Sequence, residues 1–118
     1  MRERIRDKER LEHILHAIDT LLEYKGKYKL EDVMENPILF FGFVKHVEII
    51  GEAVYKMTPE FRQSHTEVEW DVIEGMRHIL VHGYYQLRPM QVWKTINEDI
   101  EPLRPLILQF IEEETKGR

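Results

Sequence analysis

Apolar residues recur at every third or fourth position along most of this chain, and no stretch alternates apolar and polar residues with a period of two. A repeat near 3.6 buries one face of an α-helix, whereas a half-buried strand needs a repeat of two. The sequence therefore specifies an all-α protein. Its 118 residues suffice for one hydrophobic core but not for two independent ones, so residues 1–118 are expected to form a single helical domain.

The first stripe runs through Ile5, Leu11, Ile14, Leu15, Ile18, Leu21 and Leu22, with Gly26 placed to end the helix. Its charged start pairs Glu3 with Arg6, Arg4 with Asp7 and Asp7 with Arg10 at i,i+3, which predicts a solvated face. Asn36-Pro37 reads as an N-cap and a proline in the first helical position, opening a second helix to about Met57. Between Ile38 and Val54 that helix is apolar around most of its circumference. Such a helix needs cover on several sides, which a homodimer would supply. Thr58-Pro59 is a turn or short-helix start, and Thr66-Glu67-Val68-Glu69 has the form of a capping box before a third helix carrying Val68, Trp70, Ile73, Met76, Ile79 and Leu80. Gly83 is its expected stop. The last segment opens at Arg88-Pro89 and sets Met90, Trp93, Ile96, Ile100, Leu103, Ile107 and Phe110 on one face. Pro102 and Pro105 do not fit unstrained inside one straight helix, so a kink or restart is expected near Glu101. The expected architecture is an antiparallel bundle of four or five helices with a broken last helix.

Several functions are excluded by composition. The longest apolar run, Ile38 to Val44, is interrupted by Gly42 and too short to span a bilayer. The first ten residues are charged throughout and lack the apolar core of a secretory signal, which predicts a cytoplasmic protein. With no cysteine there are no disulfides, thiolate metal sites or cysteine nucleophiles. A net charge of −5 disfavours nonspecific coating of nucleic acid, so any RNA contact must be local.

Reactive side chains concentrate at the end of the third helix, in Arg77, His78, His82, Tyr84 and Tyr85. Arg77 supplies a permanent planar cation that can grip a phosphate or a developing phosphorane. His82 can exchange a proton near neutral pH. Together they are the minimum for cleaving RNA when its own 2′-hydroxyl attacks the adjacent phosphate, a reaction that needs no protein nucleophile, metal or cofactor. Residues five apart differ by roughly 140° around a regular helix. Arg77 and His82 thus meet only if the helix loosens before Gly83, or if they come from two subunits across a two-fold axis. His78 and His82, four apart, share a face at the spacing of a zinc-binding pair, with Glu74 the sole local candidate for a third ligand. The bland alternative is that Arg77 pairs with a carboxylate, His82 satisfies helix-end carbonyls and the tyrosines pack between helices. His13, His16, His46 and His65 are scattered singly and carry no assigned role.

The segment Met76-Arg-His-Ile-Leu-Val-His-Gly-Tyr-Tyr85 resembles the signature of the HEPN superfamily, an Arg followed four to six residues later by His. More closely it is similar to the Arg-x4-His-x-Tyr form of HepT-like toxins. Glu48-Ile-Ile-Gly-Glu-Ala53 looks like that family's second-helix motif. Trp70 precedes the Arg at a familiar distance, and Val92-Trp93 with Asp99-Ile-Glu-Pro-Leu103 looks like its closing helix. The similarity covers roughly residues 8 to 110. It implies a HEPN-like all-α homodimer whose paired motifs line a cleft and cut RNA without metal. The same resemblance implies the toxin of a type VII-like toxin–antitoxin pair, inhibited by a minimal nucleotidyltransferase antitoxin. By that resemblance Arg77 and His82 are catalytic, Tyr84 is the target of inhibitory AMPylation, and His78 stands where Asn is commoner. Glu52 is either a carboxylate that orients Arg77 or an ordinary helix-pairing residue. The acidic net charge opposes RNA binding, but a cleft lined by Arg77, His78 and Arg88 from two subunits can create a local positive field.

Two other functions fit the same residues. One is a nucleotide- or nucleic-acid-binding companion subunit of a nucleotidyltransferase that does not cut RNA. The other is a structural helical dimerisation domain, in which the Arg77–Tyr84 cluster does not converge between subunits.

Overall fold

The computed structural model describes residues 2–83 and 86–117, with side chains from Asp7 onward. In chain order the elements are α1 (Arg2–Lys27), α2 (Leu30–Glu35), α3 (Pro37–Tyr55), α4 (Pro59–Ser64), α5 (Trp70–His82), α6 (Pro89–Thr95), a π-helical turn at Ile96–Ile100, and α7 (Leu103–Lys116). No strand occurs among the described residues. The protein is an all-α bundle, as its periodicity requires. The helices α1, α3, α5 and the broken α6–α7 segment are its long members, and the short α2 and α4 occupy the connections.

The central helix is α3, which packs against α1 on one side and α5 on the other, while α7 lies along α1. Its start follows the expected chemistry. Pro37 takes the first helical position, and the Asn36 side chain accepts from the N–H groups of Ile38 and Leu39 at 3.1 and 3.2 Å. The core is built from fully buried Leu11, Ile14 and Ile18 of α1, Ile50 and Val54 of α3, and Ile96, Ile100, Ile107 and Phe110 of the C-terminal segment. Each such side chain contributes about 1.5–3 kcal/mol relative to exposure. At one end Phe61 stacks on His65 at 4.0 Å and meets Trp70 and Phe110 edge-on. His65 Nδ1 donates to the Phe61 carbonyl at 2.9 Å, and the Trp70 indole N–H donates to the His65 carbonyl at 2.8 Å, so His65 is part of the packing.

The break expected near Glu101 is present. Ile96–Ile100 widens to π geometry, closed by the Glu101 N–H on the Ile96 carbonyl at 2.8 Å. The π turn ends just before Pro102, which caps α7, and Pro105 falls in the first turn of α7, where its missing N–H leaves no bond unmade.

Four local expectations are corrected. Gly26 does not end α1, which continues to Lys27. The capping box at Thr66 does not form: α5 starts three residues later, with Glu69 in the cap position and no side-chain cap bond. Val68 and Trp70 are both buried there, and their burial sets the start of the helix in place of the local cap. Asp7 is not on a solvated face. It is fully buried and accepts from the Thr58 N–H at 2.9 Å and the Thr58 hydroxyl at 2.6 Å, tying α1 to the start of α4. Met90, expected on the core face, is 64% exposed. No described helix is long and apolar enough to cross a membrane.

Candidate active site

Arg77 projects from the middle of α5 toward α3, and the contact is set by the absence of a side chain. A Cβ on Gly51 would lie 2.7 Å from Arg77 Cβ and 3.3 Å from Arg77 Cα and N. Glycine at 51 is what lets the two helices approach this closely. The next residue, Glu52, accepts a hydrogen bond from Arg77 Nε. One turn on, Tyr55 places its ring 4.6 Å from the Arg77 guanidinium carbon, a cation–π contact, and Lys56 Nζ reaches the other Glu52 oxygen at 3.6 Å. Arg77 is therefore held at Nε and across one face. Among the described residues no carboxylate takes its terminal amino groups. The hydrogen bond from Arg77, followed by the charges of Arg77 and Lys56, holds the Glu52 carboxyl below the usual carboxylate range against the opposing effect of burial. The bond to Glu52 in turn raises Arg77, which stays cationic throughout. Both side chains are more than 30% exposed, so solvent screens the pair and its main effect is positional.

The helix does not loosen before its end. It is regular through His82, and the Gly83 N–H closes the last turn on the Ile79 carbonyl at 2.8 Å. Arg77 faces α3, whereas His82 is exposed, so within one chain the two are not brought together. His78 and His82 do share a face, with ring centroids 4.6 Å apart. Glu74 is bonded to Arg62 at 2.6 Å, which also holds Asp71 at 2.7 Å. Among the described residues no three His, Asp or Glu side chains are grouped to hold a metal ion. Tyr84 and Tyr85 lie outside the described residues. Along α5, Val72 and Ile79 are 52% and 60% exposed, two apolar side chains seven residues apart on nearly one face that the described residues leave open.

A cavity of about 1080 Å³ lies elsewhere. It lies between α4 and the start of α5, and its Glu69, Asp71 and Glu74 outnumber Arg62. Such a cavity repels a polyanion, so size is a poor guide to the chemistry here. Sequence reasoning found Arg77 and proposed Glu52 as its partner, but missed Tyr55, Lys56 and the packing role of Gly51. The signal was available, because Tyr55 and Lys56 follow Glu52 at i+3 and i+4 on the same helical face.

The model of the Ribonuclease HepT-like family matches residues 14–110. The chain belongs to the HepT-like ribonuclease family, within the HEPN superfamily. Among its relatives is a candidate RNase of Caldanaerobacter subterraneus subsp. tengcongensis, 38% identical over 88% of this chain and 93% of that protein. A Thermococcus cleftensis protein named as a probable ribonuclease HepT is 33% identical over 82% of this chain and 88% of its own length. A Methanocaldococcus jannaschii protein named as both a gamma-glutamylcyclotransferase and a candidate RNase is 31% identical over 92% of this chain, which spans only 49% of it. No solved structure gives a significant match. Family membership makes the chain a member of a ribonuclease family, and RNA is the substrate that membership implies.

Proposed function

We propose that this chain is a metal-independent endoribonuclease and the toxin of a type VII-like toxin–antitoxin pair, acting as a homodimer in the cytoplasm. The observation that carries the reading is the way Arg77 is held. Glu52 takes Nε and Tyr55 covers one face, leaving the terminal amino groups for a phosphate. In the proposed reaction a ribose 2′-oxygen attacks the adjacent phosphorus and the bond to the 5′-oxygen breaks, leaving a 2′,3′-cyclic phosphate and a 5′-hydroxyl. Arg77 stabilises the charge that builds on the phosphoryl oxygens. His82 moves a proton from the attacking or to the departing oxygen. Because one helix points Arg77 and His82 in different directions, the working pair is Arg77 of one subunit and His82 of the other. Exposed Val72 and Ile79 are apolar surface that such a pairing would cover. His78, beside His82, borders the substrate.

Inhibition is assigned to a minimal nucleotidyltransferase antitoxin that adds AMP to Tyr84. Anionic phosphates there would compete with RNA for Arg77. Mass spectrometry of the chain co-expressed with such an enzyme tests this, and neutralisation of Tyr84→Phe as complete as that of the parent would show inhibition by binding alone. One observation favours a second reading, a structural dimerisation domain: Arg77 and His82 do not converge within the chain. Cleavage of RNA in EDTA separates the two. The ribonuclease reading requires activity there that Arg77→Ala and His82→Ala each remove, and activity lost to EDTA alone would assign the chemistry to the histidine pair and a metal.

A further inference from the structure

Between α1 and α3 lies a cleft of about 350 Å³ whose polar lining is Arg10, His13, Lys45, Glu48, Glu52 and Lys56. The carboxylates of this cleft are already met. Glu48 is bonded to Lys45 at 3.4 Å, and Glu52 is bonded to Lys56 at 3.6 Å and to Arg77. Arg10 is different. Its Nε is buried without a hydrogen-bond partner, and among the described residues no carboxylate pairs with it. Arg10 itself is half-buried and only its Nε is both buried and unmet, so its outer amino groups remain open to an anion. Three permanent cations thus face two carboxylates, one of them shared with Arg77, in a chain whose net charge is −5. Among the described residues the other arginines of the helices, Arg62, Arg77 and Arg104, each hold a carboxylate. The cleft also shares Glu52 with the Arg77 site, so a strand whose phosphate reaches Arg77 passes beside it.

We propose that the α1–α3 cleft is a second phosphate subsite for RNA, in which Arg10 and His13 hold a phosphodiester flanking the one at Arg77. This rests on the ribonuclease reading and adds the means by which an acidic protein retains a polyanion. Local cations supply affinity and salt dependence, whatever the net charge of the whole.

The test uses the full chain carrying His82→Ala, so that bound RNA is not consumed, and a fluorescein-labelled single-stranded RNA followed by anisotropy from about 50 to 200 mM salt. Adding Arg10→Gln is expected to weaken binding several-fold and to lower the logarithmic salt slope by about 0.7, the loss of one single-strand phosphate contact. Arg10→Lys restores most of the slope. His13→Gln, on an exposed position, weakens binding without endangering the fold and serves if Arg10→Gln does not fold. Lys116→Gln removes a charge at the far end of α7, where Lys116 pairs with Glu112, and leaves binding unchanged. Unchanged affinity and slope in both Arg10→Gln and His13→Gln would overturn the subsite while leaving the ribonuclease reading intact. An equal loss from Lys116→Gln would show that only net charge matters and would overturn it too. A parent chain that binds no RNA would overturn the subsite and the ribonuclease reading together.

Discussion

Adding one methyl group at Gly51 tests whether close approach of α3 and α5 is what positions the arginine. The new Cβ would stand 2.7 Å from Arg77 Cβ and 3.3 Å from Arg77 Cα and N. All three atoms belong to or adjoin the backbone, so no side-chain rotation relieves the clash. Carbon atoms at rest lie about 3.5–4.0 Å apart, and the helices must separate by roughly 1 Å. Overpacking of this kind costs about 1–3 kcal/mol. For a domain of this size each kcal/mol moves the melting temperature by about 4 °C, so Gly51→Ala should melt about 4–12 °C below the parent. If Arg77 carries the chemistry, misplacement by about 1 Å also costs on the order of 10² in cleavage rate. Gly42→Ala is the control in the same helix. Nothing lies within 4 Å of its added Cβ, and replacing a helical glycine should be neutral or stabilise by up to about 1 kcal/mol. Thermal unfolding followed by circular dichroism reads both. A Gly51→Ala protein that melts within about 1 °C of the parent would refute the packing argument.

Asp7→Ala should destabilise by about 3 kcal/mol, because it strands the buried N–H and hydroxyl of Thr58, and chemical denaturation measures the loss. Glu52 titrates below the usual carboxylate range, so the stability from its bond to Arg77 is complete above about pH 4.3 and is lost as pH falls further. Glu52→Gln should flatten that acid limb of the pH–stability curve, and an unchanged limb would count against the pair. Ile79→Asp, at a 60% exposed position, should change the stability of the single chain by no more than about 0.5 kcal/mol while abolishing the proposed dimer in sedimentation velocity.

What the sequence made legible depended on how local each cause is. The Asn36-Pro37 start of α3 and the break before Pro102 follow from backbone chemistry within a few residues, and both stand where expected. Asp7 and Thr66 misled for the complementary reason. Asp7 has i,i+3 partners of the right charge, but its hydrogen bonds go to Thr58, fifty-one residues away. Thr66 has the cap pattern, but burial of Val68 and Trp70 places the helix start at Trp70. At the site the structure shows Arg77 bonded to Glu52, a pairing that a carboxylate orienting the arginine and the bland alternative of an arginine paired with a carboxylate both expect. The role of Gly51 was hidden, since a glycine inside a helix announces close packing only once the facing residue is known. Regular geometry through His82 removes the loosened-helix route to a combined site and leaves the two-subunit route.

That route has a direct measurement. Arg77→Ala and His82→Ala chains are purified separately, mixed, partly unfolded and refolded together, and assayed for RNA cleavage in EDTA. If each site draws Arg77 from one subunit and His82 from the other, half of the randomly reassembled dimers hold one intact site of two, and the mixture should recover about a quarter of parental activity. If both residues act within one chain, every site in the mixture lacks one of them. A mixture as inactive as either variant alone, despite mixed dimers shown by native mass spectrometry, would contradict the account.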